Sequence, residues 1–454
     1  MKEPYKLSAE DFIVLIEAVR RAEEIKPSQQ AKRDVFRKFK VLGTSKDPPL
    51  TAIFYRIMKR LGVIDVIIKD LTGVKNTLLL DPHLRSALRV AIEVNFFSNV
   101  NYYNFAELRN KVSAYLSTRA HPYVGMFFWE LITKLKEGSY RYIPKSHEEE
   151  LMFKYLLPSW YINKMINLLG INVAEKLFDS FNKKPKLSVR VNTLKATVDD
   201  VVRELQGRVK GLELSKYVPN VIKFEGPFNF DKSNLFKAGK IIIQEEAAAL
   251  ASIILAPKPG DVVVDLCAAP GGKTQHIGEL MRNSGLIYAF DVDEYRVERM
   301  RELLRRTGIS IVKIYIEDGR KAPKVLGDEI ADKVLVDAPC TSDGTIAKNP
   351  ELRWRMLEEK IPKFAQLQYE LIRAGIKLLK PGGRLLYTTC SLLKEECEDV
   401  VTKVLNKIRN VRLLNIDGPY DKGFIEGVMR AWPHRHGTIG FFYALLEKEV
   451  EQKP

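Results

Sequence analysis

Cysteine and histidine are scarce in this sequence. The 454 residues include four cysteines, at positions 267, 340, 390 and 397, and six histidines. No C-x-x-C pair occurs, and no cysteine lies near the histidines at 434 and 436. A disulfide framework and a zinc site both need clusters of these residues, so neither is expected. We predict that the protein holds no metal.

Long hydrophobic runs are also missing. No stretch reaches the roughly 18 consecutive apolar residues that a membrane-spanning helix needs. The amino-terminal sequence MKEPYKLSAED does not have the pattern of a signal peptide. The expectation is a soluble, cytoplasmic protein that does not enter membranes. Its oligomeric state cannot be read from the sequence, and a monomer is favoured.

Two common nucleotide-binding motifs are absent. GGKT, residues 271–274, resembles the end of a P-loop, but position 267, where that motif needs glycine, is cysteine. No G-x-G-x-x-G dinucleotide signature stands in that loop either. Both nucleotide-binding interpretations are therefore weak.

Acidic residues are outnumbered. The chain has 73 Lys+Arg against 57 Asp+Glu, a net charge of +16, and its pI is near 9.4. A basic surface suits a polyanion such as nucleic acid, although a lysine-rich proteome gives the same charge without one. The length and the 46% of hydrophobic residues predict two or three domains with packed cores.

The sequence around residues 261–274, DVVVDLCAAPGGKT, predicts a strand, a glycine turn and the start of a helix. Such glycines let a ligand approach the backbone closely. Four further apolar strands follow, ending at Asp291, at Asp318, at Asp337 with Cys340, and at Cys390. Open parallel sheets bind ligands at the carboxyl ends of their strands, so we predict an α/β fold with its site at this edge.

These segments resemble the NOL1/NOP2/Sun family of S-adenosylmethionine-dependent RNA cytosine-C5 methyltransferases, and most of all its Sun (Fmu) branch. The segments that carry the resemblance are DLCAAPGGKT, DAPC with SDGTIAKNPELRW behind it, PGGRLLYTTCS and WPHRHGTIGFFYALL. It implies a Rossmann-like methyltransferase sheet with S-adenosylmethionine as cofactor, and RNA as substrate. The Sun branch favours small-subunit rRNA, although relatives act on tRNA. A non-catalytic RNA-binding assembly factor is the alternative, and a DNA methyltransferase is disfavoured.

The predicted organisation has three parts. Apolar residues at helical spacing from residue 8 to about 140 predict an all-α bundle, and GSYRYIPKSHEEE marks its end. We predict a NusB-like RNA-binding domain over 1–145, a small α+β RNA-facing module over 146–255 and the Rossmann-like catalytic domain over 256–450. KNPELRW, residues 348–354, is expected to open a helix beside the site and to contact RNA.

The expected chemistry needs a thiolate. C5 of cytosine is a poor nucleophile until a thiolate adds to C6, and afterwards the C5 proton must leave. Spacing alone leaves open whether Cys340 or Cys390 is the nucleophile. The resemblance assigns that role to Cys390 and product release to Cys340. It also implies that Asp337 bonds the cytosine edge or the amino end of the cofactor, and that Lys273 lies near both.

The resemblance implies two further sets of contacts. The loop from Cys267 to Lys273 is expected at the methionine end of the cofactor, Asp291 at the ribose and Asp318 at the adenine, although acids at strand ends also act as helix caps. The cofactor set is Cys267, Ala268, Ala269, Pro270, Gly271, Gly272, Lys273, Asp291, Arg296, Asp318 and Asp337. The RNA set is Arg190, Asn192, Lys195, Lys32, Arg33 and Arg37, for which strand-edge polarity and a solvated helix face are the alternatives. Cys397 is expected in the core.

Overall fold

The computed structural model describes residues 5–98 and 100–450. The chain forms two compact units. The helical unit comprises Met1–Glu175 and Asn349–Arg355, and the sheet unit comprises Lys176–Lys348 and Met356–Pro454. Within the described residues, no helix combines the length and apolar character required to cross a membrane.

The helical unit begins with the capped helix that the sequence predicts. The Ser8 hydroxyl accepts a hydrogen bond from the Asp11 N–H, and the Asp11 carboxylate accepts one from the Ser8 N–H, both at 3.2 Å. The following helices bury their apolar faces in a shared core. The elements are β1 Lys6–Leu7, α1 Ala9–Glu24, α2 Ser28–Lys38, α3 Asp47–Thr72, α4 Pro82–Ile92, β2 Asn101–Tyr102, α5 Phe105–Arg119, α6 Pro122–Glu137, α7 His147–Tyr155 and α8 Ser159–Leu169, with α9 Ile171–Asn182 crossing the boundary of the unit. The likeness to NusB stays a prediction.

A four-stranded antiparallel sheet opens the sheet unit. Its strand order is β4-β5-β3-β6. A capping box between Thr197 and Asp200 starts the first helix beside it. These elements are β3 Leu187–Val191, α10 Val198–Leu205, β4 Lys210–Leu214, β5 Val221–Glu225, α11 Asn234–Lys237 and β6 Ile241–Ile243. The arrangement agrees with the predicted α+β character.

The main sheet has nine strands in the order β13-β14-β15-β11-β10-β7-β8-β9, with β12 paired to β15. The five strands that the sequence predicts are β7 to β11, and they run parallel to their neighbours in this set. The elements are α12 Glu246–Leu255, β7 Val262–Asp265, α13 Gly272–Leu280, β8 Leu286–Asp291, α14 Glu294–Thr307, β9 Val312–Ile316, α15 Ala322–Leu326, β10 Ala331–Asp337, α16 Leu352–Arg355 of the helical unit, α17 Ile361–Leu378, β11 Leu379–Thr389, α18 Glu398–Lys407, β12 Val411–Leu414, β13 Asp421–Lys422, β14 Met429–Ala431, α19 Pro433–His436 and β15 Phe441–Lys448. The predicted Rossmann-like α/β fold is confirmed.

Alternate residues of the central strands face opposite cores. Val264 and Val334 pack in one core together with residues of α17, while Val263 and Leu335 pack in another together with residues of α12. Both faces of the sheet are covered, as β-branched and leucine-rich parallel strands require. The chain order of the sheet reverses between β7 and β10, so the ligand crevice is expected at the carboxyl ends of these two strands.

The segment Asn349–Arg355 belongs to the helical unit although it follows β10 in the chain. The Trp354 indole N–H donates to the Lys59 carbonyl at 2.9 Å, and its ring occupies the space that a Cβ at position 62 would need, which glycine leaves free. Glu351 is buried and accepts from the Ser28 N–H at 2.9 Å. Arg353 is buried too. The expectation that this segment contacts RNA is therefore wrong for Glu351 and Arg353, whose side chains pack inside the unit.

Candidate active site

The loop between β7 and α13 is held from below by a buried carboxylate. Asp265, the last residue of β7, accepts from the Thr274 hydroxyl at 2.8 Å, and desolvation raises its pKa to about 7. Gly271 has φ +96° and lies against Met300, where a Cβ would stand 2.5 Å from the methionine Cγ. Glycine is the residue that adopts this positive φ readily and has no Cβ to clash with Met300, so Gly271 allows the turn into the helix.

A second carboxylate holds the other side of the loop. Asp291, at the end of β8, accepts from the Ala269 N–H and from the Asp293 N–H, both at 3.0 Å. Arg296 donates to the Ala269 carbonyl and lies 3.8 Å from Asp291. A carboxylate has about four acceptor positions, so Asp291 can still accept bonds from ligand hydroxyl groups.

The loop residues divide into buried and accessible ones. Ala268 and Ala269 are buried in an apolar cluster, and their N–H groups donate to the Phe290 carbonyl and to Asp291. They and Gly271, which is also buried, therefore support the loop from inside. Contact of this loop with the methionine end of the cofactor stays a prediction. The accessible members are Cys267, Pro270, Gly272 and Lys273.

Asp318 has the capping role that the sequence left open. Its carboxylate accepts from the Arg320 N–H at 2.9 Å and pairs with the Arg320 guanidinium at 2.6 Å. These hydrogen bonds hold the pKa of Asp318 below its usual value. Its contact with adenine stays a prediction. Two apolar side chains at the same edge, Val292 and Ile316, are 69% and 48% exposed, and the sequence analysis did not select them.

The two cysteines at the ends of β10 and β11 meet. Cys340 Sγ lies 3.4 Å from Cys390 Sγ and 3.7 Å from the Ser342 hydroxyl. Both thiols are half-buried. The hydrogen bond from Cys340 lowers the pKa of Cys390, and the positive charge of Lys273 acts in the same direction. The same bond, together with burial, raises the pKa of Cys340. The pair therefore favours a thiolate at Cys390 and a proton on Cys340.

Lys273 and Asp337 form an ion pair whose two charges act on the pKa of Cys390. Lys273 Nζ donates to Asp337 Oδ2 at 2.6 Å, and the Thr388 hydroxyl donates to Asp337 Oδ1 at 3.0 Å. The ammonium also lies 5.1 Å from the centre of the Phe441 ring. Each carboxylate oxygen thus has one donor and keeps capacity for another, so Asp337 can accept from an amino group of a ligand.

The other two cysteines differ from this pair. Cys397 is fully buried and its thiol donates to the Ser391 carbonyl at 3.4 Å. It lies in the core, where the sequence analysis expects it. Burial raises the pKa of Cys267 well above the usual thiol value, so Cys267 is a poor nucleophile.

Arg190 and Asn192 are not available to RNA. Both are fully buried. The Arg190 guanidinium donates to Glu279 and Gln275 of α13 and, at 2.7 Å, to the Gln244 side chain. Asn192 donates to the Gly239 and Thr307 carbonyls. The RNA expectation is wrong for both residues, because helix α13 covers the strand face that carries the arginine.

Removing this buried cation tests the correction. We expect Arg190→Met to lower the free energy of unfolding by about 3–5 kcal/mol, because Glu279 is left as an unpaired buried charge. Arg203→Met is the control: that arginine is 74% exposed, and a change below about 0.5 kcal/mol is expected. Urea unfolding measures both. If Arg190→Met were as stable as the wild type but bound RNA more weakly, Arg190 would be an RNA-binding residue after all.

The other predicted RNA residues fall into two groups. Lys32 is buried, donates to the Thr51 hydroxyl at 2.8 Å, and has its pKa lowered by desolvation, so it does not reach phosphates in this structure. Lys195 is exposed, but its ammonium donates to the Ala238 and Arg306 carbonyls. Arg37 is 63% exposed with Asp34 at 3.5 Å. Arg33 is half-buried. RNA contact by Lys195, Arg33 and Arg37 stays a prediction.

Comparison with known proteins places this site in a family. Residues 252–447 match the sequence model described as 16S rRNA methyltransferase RsmB/F, and residues 157–231 match the ferredoxin-like domain of RsmF/B-like methyltransferases. The ribosomal RNA small subunit methyltransferase B of Enterobacter sp. (strain 638) is 34% identical over 297 residues, 65% of this chain and 67% of the relative. The chain belongs to the RsmB/F methyltransferase family. The predicted membership of the NOL1/NOP2/Sun family is thereby confirmed.

Two solved structures are similar to this chain. The crystal structure of PH0851 is 53% identical, with a TM-score of 0.92, and the match covers 98% of this chain and 100% of that one. The structure of NSun6 from Pyrococcus horikoshii with SFG is 28% identical, with a TM-score of 0.59, over 64% of this chain and 98% of that one. The protein is a methyltransferase that uses S-adenosylmethionine.

The residues present fit this cofactor. Its ribose hydroxyls need acceptors, which the free positions of the Asp291 carboxylate provide. Its purine ring needs apolar contact, and the exposed Val292 and Ile316 stand at the ends of the adjacent strands β8 and β9. The Asp337 carboxylate can accept from the amino group of its methionine end. These residues would hold S-adenosylmethionine along the carboxyl edge of the sheet, where the fold places the crevice.

Proposed function

We propose that this RsmB/F methyltransferase makes 5-methylcytidine in small-subunit ribosomal RNA through a covalent bond between Cys390 and C6 of the target base. The contact of the Cys340 and Cys390 sulfurs, 3.4 Å apart, carries the proposal. One thiol of such a pair holds a negative charge while the other holds the proton. The curated relatives are named as small-subunit rRNA methyltransferases, which supports the choice of RNA.

The first step needs a thiolate of lowered pKa. The Cys390 thiolate adds to C6 of the cytosine, and the electron pair of the C5–C6 double bond makes C5 a nucleophile. S-adenosylmethionine supplies the methyl group as an electrophile on a positively charged sulfur. C5 then forms the new carbon–carbon bond as the sulfur–methyl bond breaks, and its electron pair stays on the sulfur.

The second step removes the product. The proton on C5 must leave, and the electron pair of that C–H bond re-forms the double bond while the C6–S bond breaks and Cys390 departs as thiolate. Cys340 lies next to Cys390 and is assigned to this step. Once Cys390 is bonded to carbon, the hydrogen bond to its thiolate that raises the pKa of Cys340 is gone, so Cys340 releases its own proton to water more readily. The resulting Cys340 thiolate then accepts the proton from C5.

Asp337 recognises the base in this proposal. Its carboxylate can accept from the exocyclic amino group of cytosine, which uracil lacks. Thr388 and Lys273 fix its two oxygens, so little reorganisation is needed when charge develops on the ring. The target base leaves its stack to reach this pocket, at a cost of a few kcal/mol.

Outside the crevice at the sheet edge, we assign RNA binding to the overall positive charge of the chain and not to particular residues. The net charge of +16 favours contact with phosphates, with affinity that falls as salt rises. We further propose the division into a NusB-like domain over 1–145, an RNA-facing module over 146–255 and the catalytic domain over 256–450. The ferredoxin-like match over 157–231 supports the middle part, and a cytoplasmic location follows from the proposed substrate.

Labelled methyl transfer tests the proposed function. Purified protein with S-adenosylmethionine carrying a labelled methyl group is incubated with unmodified small-subunit rRNA and, separately, with tRNA. We expect label in the rRNA, found as 5-methylcytidine after nucleoside analysis. Label in tRNA only would move the substrate to tRNA. Label in another nucleoside would overturn the C5 chemistry, and no label with tight RNA binding would favour a non-catalytic assembly factor.

A further inference from the structure

Two buried carboxylates join the two cysteine loops. Asp343 accepts from the Thr341 hydroxyl and from the Leu392 N–H, and Glu396 bonds the residues directly after the two cysteines. Glu396 lies in the turn before α18 and is fully buried. Its Oε2 accepts from the N–H of Thr341, the residue after Cys340, at 3.0 Å. Its Oε1 accepts from the hydroxyl of Ser391, the residue after Cys390, at 3.4 Å. The Glu396 side chain thus accepts hydrogen bonds from the residues that directly follow the two cysteines.

Gln368 of α17 extends this link to the other side of Cys340. Its amide nitrogen donates to Glu396 at 3.0 Å and to the carbonyl of Pro339 at 2.9 Å. The Tyr387 hydroxyl donates to the backbone carbonyl of Glu396 at 2.6 Å, which fixes the turn that carries the carboxylate. The cysteine at 340 is therefore held through both of its chain neighbours.

The link is costly as a purely structural feature. Desolvation raises the pKa of Glu396 to about 7, and a buried carboxyl group stabilises a fold less than a hydrocarbon side chain of similar volume does. Three donors from two strand-end loops and one helix converge on it, which is the arrangement expected of a group that sets the position of its neighbours. The two loops that it bonds carry the two sulfurs.

We propose that Glu396 is a positioning residue that holds the loops of Cys340 and Cys390 in register, so that the Cys340 thiol can donate to the Cys390 thiolate. This role rests on the two-cysteine mechanism of the proposed function. Glu396 touches neither substrate nor cofactor. Without its carboxylate the two loops keep only Asp343 of these two common acceptors, so we expect the sulfurs to move apart and the hydrogen bond from Cys340 to the Cys390 thiolate to weaken.

The variants are Glu396→Gln and Glu396→Ala. Glutamine keeps the volume and one acceptor oxygen for the N–H groups of Thr341 and Gln368. Its amide nitrogen then faces the Ser391 hydroxyl, so that bond must reverse its direction and both links become neutral hydrogen bonds. Because the fold already tolerates a neutral carboxyl group near pH 7, Glu396→Gln is expected to fold. Alanine removes both links. Glu395→Gln, the same change at the adjacent half-buried position, is the control.

The first measurement needs no RNA. Alkylation of Cys390 by iodoacetamide is followed across pH by mass spectrometry of the peptide that carries it. We expect the midpoint of the pH profile to rise by about one unit in Glu396→Ala, less in Glu396→Gln and not at all in Glu395→Gln, because the thiolate is the reactive form. A role confined to stability lowers the unfolding temperature and leaves this midpoint where it is in the wild type.

The second measurement is methyl transfer. We expect kcat to fall roughly 10- to 100-fold, the size of effect that misplacement by about 1 Å produces. KM for S-adenosylmethionine should stay within about threefold, since the loss is confined to the transition state. An unchanged midpoint with unchanged kcat overturns the inference. A shifted midpoint in a protein whose wild type methylates no cytidine would instead refute the proposed function and leave the positioning role standing.

Discussion

Cys390→Ala is expected to abolish methyl transfer to RNA while leaving the protein folded. The fall in kcat is expected to be on the order of 10⁴-fold or more, because C5 of cytosine stays a poor nucleophile without the thiolate at C6. Binding of S-adenosylmethionine should be little changed, since the glycine loop and Asp291 carry it. Labelled methyl transfer measures the first quantity and calorimetry with the cofactor measures the second.

Cys397→Ala is the matched control for this loss. Its thiol is fully buried and bonds the Ser391 carbonyl, so it cannot reach a nucleotide. We expect activity within a few-fold of wild type and a moderate loss of stability from the small cavity. Residual activity near the wild-type level in Cys390→Ala would contradict the assignment. Activity that survives there but vanishes in Cys340→Ala would make Cys340 the nucleophile.

Cys340→Ala is expected to trap the covalent complex between protein and RNA. Addition of Cys390 to C6 and methylation of C5 still occur, but the group assigned to release is gone, so the C6–S bond persists. We expect turnover to fall by about 10²–10⁴-fold, the contribution typical of a general acid or base. A band of higher mass that contains both protein and RNA should appear on denaturing gels when S-adenosylmethionine is present.

The double variant Cys340→Ala/Cys390→Ala separates this adduct from other crosslinks. It lacks both thiols at the strand ends, so no band of higher mass is expected. Nuclease digestion and mass spectrometry of the trapped peptide should find the nucleotide on Cys390, and sequencing of the attached RNA identifies the target cytidine. If Cys340→Ala turned over with the kcat of the wild type, product release would need no second cysteine.

The sequence predicted the frame of the site well because strand ends leave a clear local signal. Apolar runs that stop at Asp265, Asp291 and Asp337 mark parallel strands, and the carboxyl ends of such strands meet at one edge. The glycine at 271 follows from the turn into α13, where its φ of +96° strongly disfavours a residue with a side chain. These features depend on neighbours in the chain, so a pattern shows them.

The errors came from residues whose surroundings are distant in the chain. Arg190 stands on a strand where polar residues usually face water, but Glu279 and Gln275, more than 80 positions later, cover it. Lys32 lies on a helix with charged neighbours and yet is buried, with its ammonium bonded to the hydroxyl of the half-buried Thr51. A period of two or 3.6 residues tells which side chains share a face, and it does not tell what packs on that face.

Glu396 was missed for the same reason, although a signal was present. It stands in SLLKEECEDVV, where the fully buried Cys397 lies between two acids that are also buried, Glu396 and Glu398. An acid at a buried position needs hydrogen-bond donors or a positive charge beside it. The loops at the strand ends are one place where such donors are expected. The sequence cannot show that they are Thr341 and Ser391, since that depends on the register of β10 against β11.

By itself, the sequence of this protein determined the parallel strands, the glycine loop and the presence of two cysteines at strand ends. Each of these is encoded by residues within a few positions of one another. Only the tertiary structure decided that the sulfurs at 340 and 390 lie 3.4 Å apart, that buried carboxylates tie both loops, and that Arg190 is closed off from solvent. Such facts require segments separated by tens of residues to pack together, and packing is set by the whole core rather than by local pattern.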